Sequence, residues 1–137
     1  MTVNWQKEPP SDPVGEPLVM SVDDTPADTR RGGDVRTLLS PKSAGSKSGF
    51  MGVATLAPGD RISEHWHPFS EEFIFCVRGA ITADLNDEQH EVKAGEALYI
   101  PFLMRHRLRN EGDEEAFIVF QLGPLAPRPD LGHVDIE

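Results

Sequence analysis

Gly59-Asp60-Arg61-Ile62-Ser63-Glu64-His65-Trp66-His67-Pro68-Phe69-Ser70-Glu71-Glu72-Phe73-Ile74-Phe75-Cys76-Val77-Arg78-Gly79 is the stretch that decides how this chain folds. Strand side chains alternate between two faces, so a strand over Arg61–His67 puts His65 and His67 on the same face. After the Pro68-Phe69-Ser70-Glu71 turn, a second strand over Glu72–Val77 opens with a carboxylate, and Ile74 and Cys76 share its side. Two imidazoles and a carboxylate can then converge at one end of a pair of strands. That mixture of donors suits Zn, Fe, Mn, Ni or Cu, whereas an all-oxygen set would suit Mg or Ca.

Downstream, Gly95, Pro101, His106 and Asn110 bring a third imidazole early into a strand that follows a Pro turn. No stretch sustains a 3.6-residue period. The ordered segments are short and rich in Phe, Val, Ile and Thr. Strands are predicted over Val35–Leu39, Phe50–Leu56, Arg61–His67, Glu72–Val77, Ala80–Leu85, His90–Val92, Ala97–Ile100, His106–Arg109 and Ala116–Leu122. Turn residues separate them, for example Ala57-Pro58-Gly59-Asp60, Asn86-Asp87-Glu88 and Asn110-Glu111-Gly112-Asp113. This pattern predicts an all-β sandwich or barrel over residues 34–124. Residues 1–33, rich in Pro, are expected to form a flexible or subunit-swapped arm, and residues 125–137 a mobile tail.

Charge narrows the function. The net charge is −10, with 6 basic and 7 acidic residues up to position 49 against 7 and 16 beyond it. An acidic surface disfavours nucleic acid and anionic membranes as partners. The one basic cluster, Arg105, Arg107 and Arg109, alternates along a strand and reads as a solvated face beside acidic neighbours. Cys76 is the single cysteine, no run of 18 apolar residues occurs, and no apolar leader follows Met1, so a cytoplasmic protein is expected. His90 and His133 have no partner at ligand spacing and are expected at the surface.

The two spacings, Gly59 to Gly79 and Gly95 to Asn110, resemble the two motifs of the cupin superfamily, whose fold is a double-stranded β-helix, or jelly roll. The resemblance implies metal ligands at His65, His67, Glu72 and His106. Glu71 competes for the carboxylate position, and the spacing favours Glu72. The second motif departs once: Leu103 stands where cupins usually have Gly, so a turn of different shape is expected there.

Wording around the motifs is closer still. Arg31-Gly32-Gly33-Asp34, Leu39-Ser40-Pro41-Lys42, Ser48-Gly49-Phe50-Met51-Gly52 and His67-Pro68-Phe69-Ser70-Glu71-Glu72-Phe73 resemble the single-domain cupins of bacterial type II polyketide synthases, the tetracenomycin, resistomycin and spore-pigment group. That resemblance implies a metal-dependent cyclase acting on a poly-β-keto intermediate, with Zn as the first choice of divalent ion and Fe, Ni or Mn as others.

A Lewis acid at one end of an apolar barrel can polarise the acceptor ketone and stabilise an enolate. Glu71, Glu72 released from the metal, and metal-held hydroxide are the candidate bases. Ile74 and Cys76 are the candidate substrate wall. An Fe(II) dioxygenase with the same ligands and a non-catalytic polyketide-binding accessory protein are the alternatives. Exposed strand edges and the long N-terminal arm favour a homodimer, and polyketide synthase components are candidate partners.

Overall fold

Ten strands build two antiparallel sheets in the computed structural model, which describes residues 7–9 and 11–137. Residues 1–6 and 10 of the expected arm lie outside the described residues. In chain order the elements are β1 (Asp34–Leu39), α1 (Pro41–Ala44), β2 (Phe50–Leu56), β3 (Arg61–Trp66), β4 (Glu71–Arg78), β5 (Ala80–Leu85), β6 (Glu88–Lys93), β7 (Ala97–Ile100), β8 (His106–Arg109), β9 (Ala116–Gly123) and β10 (Val134–Asp135). One sheet runs β1-β2-β9-β4-β7 and the other β10-β3-β8-β5-β6. All nine predicted strands are present, so the all-β reading holds.

The core lies between the sheets, where the inward residues of each strand meet. Leu56, Ile74, Ile81, Ile100 and Ile118 are fully buried there, each contributing roughly 1.5–3 kcal/mol by leaving water. Turn chemistry fixes the registers. Asn86 and Asp87 both take positive φ in the two-residue loop between β5 and β6, as a tight hairpin requires. Gly79 sits at φ 73, and a Cβ there would lie 2.5 Å from the Glu115 carbonyl oxygen, so β4 can turn into β5 only on glycine. Buried Asn110 donates to the Leu56 and Glu114 carbonyls at 2.8 Å each, tying two loops together.

Three findings depart from the sequence reading. The tail folds back: β10 pairs with β3, Val134 opposite Trp66 and Asp135 opposite His65. A two-residue strand in a Pro-rich segment carries no periodicity, and its pairing is entirely long-range. The last residues before β1 also pack on the barrel. Asp28 bridges Val35, and the Arg36 guanidinium donates to the Val22 and Thr25 carbonyls. Finally, Leu103 adopts φ 69, the left-handed conformation that favours glycine, in place of a turn reshaped to avoid it. Among the described residues no helix is long and apolar enough to cross a membrane.

Candidate metal centre

Strands β3 and β8 place His65 directly opposite His106. A register shift between Ile62 and His65 changes the phase of β3, so both of these residues line the interior although three positions apart. His67 follows β3, and Glu72 projects inward from β4, opposite Ile100 and Leu122. The three imidazoles each offer a nitrogen within 4.8 Å of the others. Glu72 Oε1 lies 3.4 Å from His67 Nε2 and 3.3 Å from His106 Nε2.

The other ring nitrogen of each histidine is committed. Nδ1 of His65 donates to the Ser63 carbonyl at 2.8 Å, and Nδ1 of His106 to the Met104 carbonyl at 2.9 Å. Nδ1 of His67 donates to the Gly132 carbonyl of the tail at 2.9 Å. With a proton held there, the neutral form of each ring turns an Nε2 lone pair inward. Nε2 of His67 and His106 and Oε1 of Glu72 are buried without a hydrogen-bond partner. Lone pairs facing a carboxylate oxygen in a dry site repel one another, and each unsatisfied group costs about 1–3 kcal/mol. A cation at their centre removes that cost, so these residues fit a divalent metal ion.

His65 and Glu72 are held in their ligating forms, whereas His106 is not. Burial, reinforced by His106, pushes His65 down to about 4, leaving it neutral at physiological pH. Burial opposes the Glu72 carboxylate, but His106 and His67 beside it outweigh that and hold its carboxyl well below the usual range. Burial also works against the His106 cation, yet facing Glu72 raises it overall, so this ring would have to yield a proton to an incoming cation. A carboxylate and a neutral imidazole are the forms in which such side chains ligate metals.

Beside this cluster lies a cavity of about 310 Å³. Its apolar wall is made by Phe50, Ile62, Leu108, Ile118, Phe120 and Leu122, and its polar edge by Asp28, Arg30, Arg31 and His133. The sequence reading chose a different wall. Ile74 and Cys76 do point inward with Glu72, but they are buried in the core and do not line the cavity. Cys76 Sγ instead lies 3.5 Å from the Arg78 and Gly79 carbonyls.

Glu71, the rival ligand and candidate base, is on the outer face, where it accepts a hydrogen bond from the Tyr99 hydroxyl at 2.6 Å. His90 is at the surface near Glu88, as expected. His133 is not on a mobile end: it lines the cavity and meets the Arg31 guanidinium. Arg31, His133 and the Gly132 carbonyl were thus missed, because nothing in the sequence links residues a hundred positions apart.

The three alternating arginines form no basic patch. Arg105 pairs with Glu64 and Asp87, Arg107 with Asp84 and Glu137, and Arg109 with Asp84 and Glu111.

Two five-stranded antiparallel sheets closing on inward histidines and a carboxylate define the double-stranded β-helix class of barrel. The cupin domain family matches residues 52–121, and the chain belongs to that family. It is 60% identical over 119 residues to protein SchB of Streptomyces halstedii, covering 87% of this chain and 86% of that one. It is 54% identical over 121 residues to polyketide synthase CurC of Streptomyces cyaneus, covering 88% and 79%. Polyketide synthase proteins are thus among its relatives. Among solved structures, the polyketide cyclase RemF from Streptomyces resistomycificus superimposes with a TM-score of 0.70 at 17% identity over 89% of this chain and 87% of that one, a likeness of fold.

Proposed function

We propose that the chain is a metal-dependent cyclase that closes a ring in a poly-β-keto intermediate of aromatic polyketide biosynthesis. The observation that carries this reading is the set of inward lone pairs on His67, His106 and Glu72, which call for a cation at the edge of an apolar cavity. His65, His67, Glu72 and His106 would hold a divalent ion, Zn first and Fe, Ni or Mn as other occupants. Such an ion supplies a Lewis acid that polarises a ketone oxygen without any redox cycle.

The chain's own residues do the rest. The apolar wall from Phe50 to Leu122 folds the substrate's carbon skeleton and keeps water out, so that one methylene meets one ketone. A methylene between two carbonyls is already acidic, and Glu72, once released from the ion it would otherwise hold, is the inward carboxylate that could take its proton. The resulting enolate carbon bonds to the ketone carbon, the carbonyl π pair moves to oxygen, and that oxygen is protonated. Loss of water then aromatises the ring.

A homodimer belongs to the same proposal. Phe73 and Tyr99 are 48% and 49% exposed on the outer face of the β4–β7 pair, an apolar patch that a second copy would cover. A reducing cytoplasm suits the lone buried thiol of Cys76.

Zn-reconstituted protein given a poly-β-keto intermediate without oxygen is expected to change the distribution of cyclised products relative to a metal-free control. Spontaneous ring closure makes that control necessary. Turnover that needs Fe and air would replace the reading with a dioxygenase. Binding of the polyketide without turnover under any metal would replace it with an accessory role.

A further inference from the structure

We infer that Arg31, buttressed by His133 at the cavity edge, is a specificity-determining residue that takes a planar pair of anionic oxygens on the substrate, a carboxylate or an enolised 1,3-diketone. This rests on the cyclase reading for the kind of substrate, but not for the existence of the site.

Both residues come from outside the 52–121 span of the family match, from the two terminal segments that close over the barrel. Their placement is built. Ser63 N–H donates to the Arg31 carbonyl at 2.8 Å, two positions before the ligand-type His65. Gly32, at φ 102, allows this approach, since a Cβ there would lie 1.9 Å from the Arg61 carbonyl oxygen. On the other side, His133 follows Gly132, whose carbonyl holds His67. The two segments therefore hold Arg31 and His133 beside the same strand that carries His65.

A guanidinium has five N–H donors arranged as a flat fork. Arg31 is 21% exposed, and Nε donates to Asp135 at 2.8 Å while one terminal nitrogen meets His133 Nε2. That terminal nitrogen donates, so His133 accepts and is neutral. Burial and then Arg31 lower the affinity of this imidazole for a proton, in keeping with that role.

The remaining N–H groups, both of those on the other terminal nitrogen among them, find no acceptor among the described residues, and the side chain lines the cavity. Asp28, which also lines it, does not compete, because Arg30 engages both its oxygens at 2.8–3.2 Å. What Arg31 has left is a forked donor edge beside an apolar wall, and the matching acceptor is two coplanar oxygens. A poly-β-keto chain presents that pair wherever a 1,3-diketone enolises, and at its terminal carboxylate when released.

The test uses purified protein, with metal content measured in every sample, and three probes: 2-naphthoate, benzoylacetone and the mono-ketone 2-acetylnaphthalene. Affinities are read by calorimetry. Arg31→Gln is expected to weaken the two-oxygen probes about tenfold or more while leaving the mono-ketone and the metal content unchanged. A loss confined to naphthoate would assign the site to a carboxylate, and one confined to benzoylacetone to the diketone.

Asp135→Ala separates recognition from architecture. It removes the acceptor of the same tail contact but leaves the guanidinium in place with more donors to offer, so two-oxygen probes should bind as well as before or more tightly. Equal losses in both variants would make Arg31 a latch for the tail and overturn the inference. So would a wild-type protein that does not distinguish the probes. The outcome is independent of turnover, so an inactive cyclase with intact probe selectivity would sink the cyclase reading and leave this one standing.

Discussion

Strand β8 carries two polar clusters on opposite faces, and they are built on opposite principles. On the outer face, Arg107 and Arg109 converge on Asp84, which accepts from Arg107 Nε at 3.1 Å and from Arg109 Nε at 2.8 Å, and every cation there has an anion. On the inner face, His106 joins His65, His67 and Glu72, and lone pairs meet lone pairs. Neighbours on one strand therefore differ in whether folding satisfies them. A charge network that closes on itself serves the fold, whereas a buried one left open holds a place for something that folding does not provide.

Metal removal is the hardest test of that contrast. With a divalent ion at about a thousand times its dissociation constant, the inner cluster should gain about 4 kcal/mol, or about 14 °C in Tm for a chain of this size. His65→Ala and His106→Ala should each abolish both the bound metal and the shift. His90→Ala and His133→Ala should abolish neither, since His90 stands at the surface and the Nε2 of His133 faces Arg31. Glu72→Gln, which keeps the shape and deletes the charge, is expected to weaken retention about a hundredfold, with Glu71→Gln unchanged. Metal analysis of the variants checks this, and equal losses at 71 and 72 would mean that the inward carboxylate is not the ligand.

The outer cluster should respond to pH in place of metal. The Arg109 hydrogen bonds, opposed by burial and helped by Arg107, hold the Asp84 carboxyl below the usual range. Its unfolded value is about 3.9, so its contribution is complete above about pH 4 and is lost as pH falls through the lower folded value. Asp84→Asn should cost about 2 kcal/mol at neutral pH and progressively less below pH 4, with metal content unaltered. Denaturant titrations of both proteins between pH 2 and 7 measure the gap. A constant gap would mean that Asp84 acts by shape and not by charge.

How much of this the sequence discloses follows from the range of each interaction. The nine strands and the convergence of His65, His67 and Glu72 rest on period-two alternation and short turns, which are local, and they are legible. The inward face of β4 is legible too, but not the cavity wall: Phe50, Ile118 and Phe120 come from β2 and β9, strands paired across 66 or so positions of chain. The tail strand β10, and with it the Gly132 carbonyl and His133, depends on pairing with β3 from the far end of the chain. Such partners carry no periodic signal, and a segment with three prolines reads as loop until its partner is known.

The smallest expected effect concerns the turn that feeds both faces of β8. Leu103 holds φ 69, its N–H directed to the His67 carbonyl at 3.4 Å, and the carbonyl of the next residue, Met104, anchors His106. A side chain in the left-handed region costs about 1–2 kcal/mol relative to glycine. Against this stands whatever Leu103 gains by packing near Trp66 and Arg105, and at 62% exposed that gain is small. Glycine would also loosen the unfolded chain, which offsets about 0.5–1 kcal/mol of the relief. The balance favours Leu103→Gly by about 0.5 kcal/mol, or a rise in Tm of about 2 °C, with metal retention unchanged because neither backbone anchor is removed. A fall in Tm would show that the packing of the Leu103 side chain outweighs the strain. A loss of metal with Tm unchanged would show that the side chain, and not the turn, keeps the His67 and His106 anchors in place.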